Sequence, residues 1–493
     1  MKYNNYRKSK NKSHKKQNES CTDSMTFQEC EKAILRNAID KTEELVGREM
    51  ANNAEVKKII SILEQFLRKK KLVCYGGTAI NNILPKEDQF YNTEIEIPDY
   101  DFYSKNALED AKQLADIYYK NGYIEIEAKS GIHLGTYKVF VNFLPIADIT
   151  QMHTSIFKIL EKDCIKIKGI RYAPPDFLRM NMYVELSRPR GEISRWEKVY
   201  ERLNLLNKHY PLNVNNEKCN KIDFERIKTD KDDYEDRLYL DVRDILIEMG
   251  AVFFGGYAVS LYSKYDTIHN KYNEHHADFD VLMENIEKAA EDVKTQLKYK
   301  YKYSKEYKNI KIVKHDGIHE IIPDSMEIIV NNKSVVNIYS TLACHNYNTI
   351  IINKQKINIA TIYTIMNFYF AFIYTNETRH NKDKLLCMAK YLFDIEKTHK
   401  LENDGILNKL NADCIGVQLT LADIRAEKAE KHKELTRDTL EYEKWFLKYM
   451  PGRNKTTHSK NYTRNNSKIS EKSKTKRSSA SVEPVKKKWG FLF

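Results

Sequence analysis

The chain has no Cys-x-x-Cys pair. Its eight cysteines, at 21, 30, 74, 164, 219, 344, 387 and 414, are scattered. That argues against a zinc site or a disulfide framework and predicts free thiols in a reducing compartment. Residues 1–20 lack an apolar core, so they do not read as a secretory signal, and a non-secreted protein is expected. Long hydrophobic runs are scarce too. The longest uncharged stretch, Ile357 to Asn376, has the length of a membrane span, but Asn358, Thr361, Thr364, Asn367, Thr375 and Asn376 interrupt it. A buried helix is expected there, and no membrane contact.

The two ends have few acidic residues and few large aliphatic ones. Residues 1–20 carry +6 and residues 451–493 carry +10, against +13 for the whole chain, so the body between them is net acidic. Such ends are expected to be disordered basic arms, suited either to solubility or to polyanions held without sequence preference. The aromatics in Lys486-Lys487-Lys488-Trp489-Gly490-Phe491-Leu492-Phe493 are out of place in a purely solvating tail and suggest a docking peptide.

What the chain does contain is one pattern twice. Gly76-Gly77 precedes Asp99-Tyr100-Asp101, and 179 residues later Gly255-Gly256 precedes Asp278-Phe279-Asp280. The second glycine and the first aspartate are 22 residues apart in both. Gly131-Ile132-His133 recurs as Gly317-Ile318-His319, and Met180-Asn181-Met182-Tyr183 as Met366-Asn367-Phe368-Tyr369. A length of 493 residues suits two to four domains, and the repeat implies a duplicated one.

Periodicity gives the elements around the first copy. Thr26-Phe27-Gln28-Glu29 reads as a capping box opening a helix, and a second helix runs from about Asn53 to Lys70. Leu72–Tyr75 is a short strand ending in the Gly-Gly turn, and a helix follows to about Leu84. A strand at Asp101, a helix over 107–120 and strands near 123–127, 137–143 and 146–149 complete the unit. The second half repeats the order, with a helix near 237–249, strands at 252–254 and 280–282, and a helix at 286–297.

On a strand, residues i and i+2 share a face, so Asp99 and Asp101 can reach one divalent cation. A Gly-Gly turn opening a helix lets backbone N–H groups approach a phosphate, and Thr78 follows with a hydroxyl. Asp148 stands alone on an apolar strand and supplies a third carboxylate. Asp-x-Asp and Gly-Gly are each commonplace in turns; their combination is what points to two metal ions and a nucleoside triphosphate. In the second copy, Val335-Val336-Asn337-Ile338 matches the Asp148 strand if inserted residues are allowed for, so Asn337 replaces the third acid. Glu327 keeps the same distance from Asp280 as Asp148 from Asp101 and remains the alternative. His275 and His276 read as loop residues, and His133 and His319 as structural. Arg188, Arg190, Arg195 and Lys198 form a basic cluster for triphosphate or RNA, or else a solvated face paired with Glu192 and Glu197. Trp196 reads as core.

Tyr75-Gly76-Gly77-Thr78-Ala79-Ile80-Asn81, Asp99-x-Asp101 with Phe102-Tyr103-Ser104, Asp148, and the stretch from Glu185-Leu186-Ser187-Arg188-Pro189 to Arg195-Trp196-Glu197-Lys198-Val199-Tyr200 resemble a known family. They are similar to the nucleotidyltransferase fold of the DNA polymerase β superfamily, and more narrowly to the poly(A) polymerase catalytic subunits of large DNA viruses, poxvirus and mimivirus-like. The resemblance covers about residues 50–450. It implies an α+β fold of duplicated nucleotidyltransferase-like domains with mixed sheets and flanking helices. The expected layout is a basic arm (1–24), N-terminal helices (25–71), a catalytic domain with following helices (72–215), a degenerate one (216–450) and a basic tail (451–493). The implied activity is template-independent addition of AMP from ATP to RNA 3′ ends with release of pyrophosphate. UMP transfer, a protein acceptor and a non-catalytic RNA scaffold stay as alternatives. Asp99, Asp101 and Asp148 would hold two Mg2+ ions, or Mn2+. Gly76, Gly77, Thr78, Arg195 and Lys198 would contact the nucleotide. A homodimer or a processivity subunit, and a location in the host cytoplasm at the viral factory with the virion as a second site, are further expectations.

Overall fold

The computed structural model describes residues 21–452 apart from 23, 93, 213, 215–218, 220–232, 263–278, 304–308, 319–320, 376–380 and 400–404. The two basic ends, the aromatic peptide at 486–493, His275, His276, Asp278 and His319 lie outside the described residues.

Sixteen strands follow in chain order among the described residues: β1 (Val73–Tyr75), β2 (Tyr100–Ser104), β3 (Ile126–Ser130), β4 (Thr136–Val141), β5 (Leu144–Gln151), β6 (Ile165–Ile167), β7 (Ile170–Tyr172), β8 (Val252–Phe253), β9 (Phe279–Met283), β10 (Ile310–His315), β11 (Ser325–Val330), β12 (Lys333–Ser340), β13 (His345–Ile352), β14 (Gln355–Ala360), β15 (Cys414–Ile415) and β16 (Lys448–Tyr449). They form two eight-stranded mixed sheets, in the orders β16-β3-β4-β5-β2-β1-β7-β6 and β10-β11-β12-β9-β8-β14-β13-β15. Without the short edge strands β16 and β15, the two orders are the same. Each sheet has two parallel pairings at matching places, β2 with β5 and β1 with β7 in the first, β9 with β12 and β8 with β14 in the second. The fold is α+β, and the repeat in the sequence is a repeat in topology.

Local chemistry sets the entry to the first sheet. Thr26 and Glu29 close a capping box on the Phe27–Asn52 helix. Asn53 caps the Ala54–Lys70 helix through the Glu55 and Val56 amides. Lys71 then takes a left-handed backbone (φ 58°) that turns the chain into β1. The helix over 107–120 has the expected bounds, and its apolar face, with Ala111, Leu114 and Tyr118, is buried.

The two halves meet through counterpart helices. Pro175–Leu186 and Ile362–Phe372 pack on each other. Tyr183 stacks on Phe370 at 5.9 Å and lies 5.4 Å from Tyr363. Phe177 meets Tyr374 edge-on at 5.0 Å. Every residue of Ile362–Phe372 is buried, which explains the absence of charge there. Among the described residues no helix is long and apolar enough to cross a membrane.

Three expectations need correction. The run 357–376 is not one helix. Residues through Ala360 are β14, and Thr361 starts the helix by accepting from the Thr364 amide. Six of the eight cysteines pair, as Cys21–Cys30, Cys219–Cys387 and Cys344–Cys414, with Cα separations of 4.8, 5.4 and 5.2 Å. Two of these pairs span 168 and 70 residues, so only the fold brings them together. Cys74 and Cys164 remain free thiols. Finally, the segment after the second sheet, grouped by sequence with the second half, returns to the first. Tyr449 pairs with Ala128 at the sheet edge and donates to Asp116 at 2.7 Å, Lys112 pairs with Glu443 at 2.8 Å, and Lys428 donates to the Gly131 carbonyl at 2.6 Å.

Candidate active site

The first Gly-Gly turn is where β1 ends and the Gly76–Ile83 helix begins. Gly76 has φ +71°, a left-handed value that disfavours side chains, and a Cβ there would lie 2.8 Å from Asp101 Oδ2. A Cβ on Gly77 would collide with Tyr91 Oη and come within 2.8 Å of Arg202 Nη1. Both glycines therefore hold open the space between a carboxylate on one side and a guanidinium on the other. That space adjoins the N–H groups of a helix N-terminus, a setting suited to phosphate.

The carboxylates come from neighbouring strands. Asp101 on β2 stands opposite Tyr75 on β1 and, in the parallel direction, opposite Asp148 on β5. Asp99 lies two residues before Asp101, just ahead of the strand. All three are partly exposed, flanked by buried Tyr100, Phe102, Ala147 and Ile149. Asp148 Oδ2 accepts from Lys138 Nζ on β4. Among the described residues no three His, Cys, Asp or Glu side chains close into a ready metal cage. The donor set still suits a hard divalent cation, because oxygen ligands on two adjacent strands face a turn left open for phosphate.

The floor of the site is inert. Burial, then the Asp101 charge, pushes the Tyr75 phenol well above its ordinary range. Its ring stacks on Tyr103 at 3.9 Å and its hydroxyl meets Thr150 at 2.8 Å. Burial, then Asp101 and Glu64, also pushes the Cys74 thiol up, so it is no nucleophile.

Thr78 is placed differently from its expected role. It is buried, and its hydroxyl donates to the Asp99 carbonyl at 2.5 Å. It clasps the Asp99 end of the strand to the Gly-Gly turn and is not aimed at a phosphate.

The basic cluster divides. Arg190 is exposed, and Arg188 is buried beside His345 of the second half. Arg195 is committed to Glu185 at 3.1 Å and Glu192 at 3.5 Å. Glu185 is raised by burial against the pull of Arg195, and its carbonyl accepts from Trp196 Nε1 at 3.0 Å. Lys198 has no ion-pair partner among the described residues. Burial, then Arg202 and Arg195, lowers its ammonium, while Glu185 and Glu96 oppose the shift. Arg202, one turn further along the Trp196–His209 helix, was missed in the sequence. Its guanidinium donates to Tyr91 Oη at 2.9 Å and sits over Phe90 at 4.5 Å, beside Gly77. The signal was present as steps of three and four residues from Arg195 through Lys198 to Arg202.

The second half repeats the frame and changes the chemistry. A Cβ on Gly255 would collide with Asp280, as one on Gly76 would crowd Asp101. β12 runs parallel to β9 with Asn337 opposite Asp280, the register of Asp148 and Asp101. Asn337 Nδ2 donates to Asp280 Oδ1 at 3.3 Å. Glu327 lies one strand over, opposite Asn337, and so occupies the place of Lys138. Asn337 is therefore the counterpart of Asp148, and Glu327 is not.

This geometry is one mixed α+β sheet frame built twice, with a Gly-Gly turn beside an aspartate in each copy. Residues 61–192 match the family described as poly(A) polymerase catalytic subunit. The chain is 31% identical over 182 residues to a putative poly(A) polymerase catalytic subunit of African swine fever virus (isolate Pig/Kenya/KEN-50/1950), covering 36% of this chain and 38% of that protein. It is 32% identical over 183 residues to the protein of the same description from Acanthamoeba polyphaga mimivirus, covering 36% and 30%. The matched stretch thus spans about a third of each of these relatives. The crystal structure of the Megavirus polyadenylate synthase superposes with a TM-score of 0.72 at 20% identity, over 88% of this chain and 87% of that one, and so shares the fold. The resemblance read from the motifs is present in both sequence and fold.

Proposed function

We propose that the protein is a template-independent poly(A) polymerase of a large DNA virus, which adds AMP from ATP to RNA 3′ ends and releases pyrophosphate. The single observation that carries this reading is the in-register pair Asp101 and Asp148 beside the Gly76–Gly77 turn. The family match over 61–192 and the names of the relatives support it. Asp99, Asp101 and Asp148 would hold two Mg2+ ions, with Mn2+ able to substitute. Bound there, such ions supply charge neutralisation at the triphosphate and a more acidic 3′-hydroxyl.

The chain's own residues do the positioning. The Gly76–Gly77 amides approach the phosphates, and Arg202, pinned by Phe90 and Tyr91, meets them from the other side with its donor fork. Lys198 adds a second, partly desolvated cation. Arg195 orders Glu185 beneath them, so of the two cations expected to contact the nucleotide, Lys198 is better placed. Thr78 fixes the Asp99 backbone. Residues 72–215 would be the catalytic unit and 216–420 the frame that holds RNA, with residues 421–449 strapped back onto the first sheet. RNA and ATP are the substrates, and a second copy or a separate processivity subunit would extend the product in the host cytoplasm, at the viral factory.

The test is extension of a short labelled RNA by the full chain in Mg2+ with each NTP separately. ATP alone should yield long products. Preferred incorporation of UTP would overturn the base assignment, and no extension with any NTP would overturn the reaction.

A further inference from the structure

The Lys138–Asp148 pair plays no part in the mechanism above, although it involves one of the three carboxylates. β4 and β5 are antiparallel, with Lys138 opposite Asp148. Directly opposed residues project from the same face of a sheet, at a Cβ spacing of about 5 Å. The ammonium is therefore held on the carboxylate by sheet register as well as by chance of rotamer, and the two are partly buried together. His133 is close by; burial chiefly lowers its pKa from the ordinary histidine value, with Glu192 opposing and Lys428 and Lys138 adding to the shift. Lys138 has Asp148 as its ion-pair partner and no second carboxylate within ion-pair distance among the described residues.

The second half shows what became of this position when the acid was lost. Asn337 is neutral, and opposite it stands Glu327, which is turned to His315 on β10 at 2.8 Å. Acid and base changed together: Asp with Lys in one half, Asn with Glu in the other. The lysine stands opposite this strand position only in the half where that position is acidic.

We propose that Lys138 is a built-in counter-cation for Asp148: it holds the carboxylate in place before metal arrives, competes with metal for it, and so sets the affinity of the site. Lys138 is then a positioning residue. The proposal rests on the reading of Asp148 as a metal ligand. A cation that pairs with a ligand must be displaced before that ligand can bind metal, so removing it should tighten binding. Merely damaging the sheet would weaken it.

The experiment is a titration of the full chain with Mn2+, without nucleotide, following free Mn2+ by its paramagnetic resonance. Lys138→Met, and Lys138→Gln as a second uncharged variant, should bind Mn2+ about three- to ten-fold more tightly than the unaltered chain. Lys138→Arg, which keeps the charge, should bind as the unaltered chain does. In an Asp148→Asn background, Lys138→Met should have no further effect. Unchanged or weaker binding by both uncharged variants would overturn the counter-cation role and leave the site assignment intact. Unchanged Mn2+ binding in Asp148→Asn and Asp101→Asn alone would instead overturn the site assignment, and the role of Lys138 with it.

Discussion

The two halves of this molecule share a strand order, a Gly-Gly turn and an aspartate at the same place on the same strand, yet they differ at two facing strand positions. In the first half Asp148 faces Asp101, Lys138 faces Asp148, and Arg202 closes over Gly77. In the second, Asn337 faces Asp280 and Glu327 faces Asn337. The difference separates what the frame needs from what the reaction needs. The glycine that makes room for the aspartate survives in both halves because the strand and turn cannot pack otherwise: a Cβ at Gly255 would overlap Asp280. The third carboxylate is present in the first half and replaced by an amide in the second.

This contrast can be broken at several points. The largest effect is expected from Asp148→Asn, which gives the first half the second half's chemistry. AMP incorporation should fall by about a thousand-fold or more, with the melting temperature little changed. The reciprocal Asn337→Asp should create no activity in an Asp148→Asn background, since Glu327 would then crowd the new acid. Any recovery of extension would show that the second half had lost only one residue.

A smaller loss is expected from the basic side of the site. Arg202→Ala should lower kcat/KM for ATP by about 10- to 100-fold, and Lys198→Ala by somewhat less, because a forked guanidinium contact is worth more than a single ammonium. Arg195→Ala should act mainly on stability, as its partners are Glu185 and Glu192. An activity loss for Arg195→Ala greater than that for Arg202→Ala would reverse this assignment.

The smallest effect concerns the joint between the halves. His345 is fully buried against Phe368 and near Arg188, with neither ring nitrogen hydrogen-bonded among the described residues. Burial, then the Arg188 charge, holds it well below the ordinary histidine value of 6.5. The unfolded chain therefore binds a proton that the folded chain refuses as pH falls below that value. Stability is full above it and declines on acidification, by up to about 1.4 kcal/mol per pH unit. Melting curves at pH 7 and pH 5 should show a drop that His345→Phe reduces. An equal drop in the variant would assign the acid sensitivity elsewhere.

Much of the frame was legible from the sequence because it rests on short-range patterns. The helix over 107–120 and the strands around both Gly-Gly turns follow from apolar spacing and turn residues. The misread segment, 357–376, was ambiguous in physical terms. The uncharged end of a strand and a wholly buried helix read alike as one apolar run, and only Thr361, one threonine among several, marks the junction. The cysteine pairs and the return of Tyr449 to the first sheet are long-range facts that no local pattern carries.

The site was legible in part for the same reason. Asp99, Asp101 and the glycines form a local motif, and Asp148 stands out as the lone acid in an apolar strand. Glu327 and Asn337 could not be separated by counting residues, because insertions change the count while strand register does not. Lys138 and Arg202 were hidden because their meaning lies in what they face: Asp148 across a strand pair, and the Gly77 turn across the site.

The central claim is that one half catalyses and the other half frames. It is tested most directly by measuring AMP incorporation into RNA by Asp101→Asn and Asp280→Asn side by side, at equal concentration and with folding checked by melting. Asp101→Asn should abolish incorporation, and Asp280→Asn should retain most of it. Loss of activity in Asp280→Asn comparable to that in Asp101→Asn, with both proteins folded, would contradict the claim.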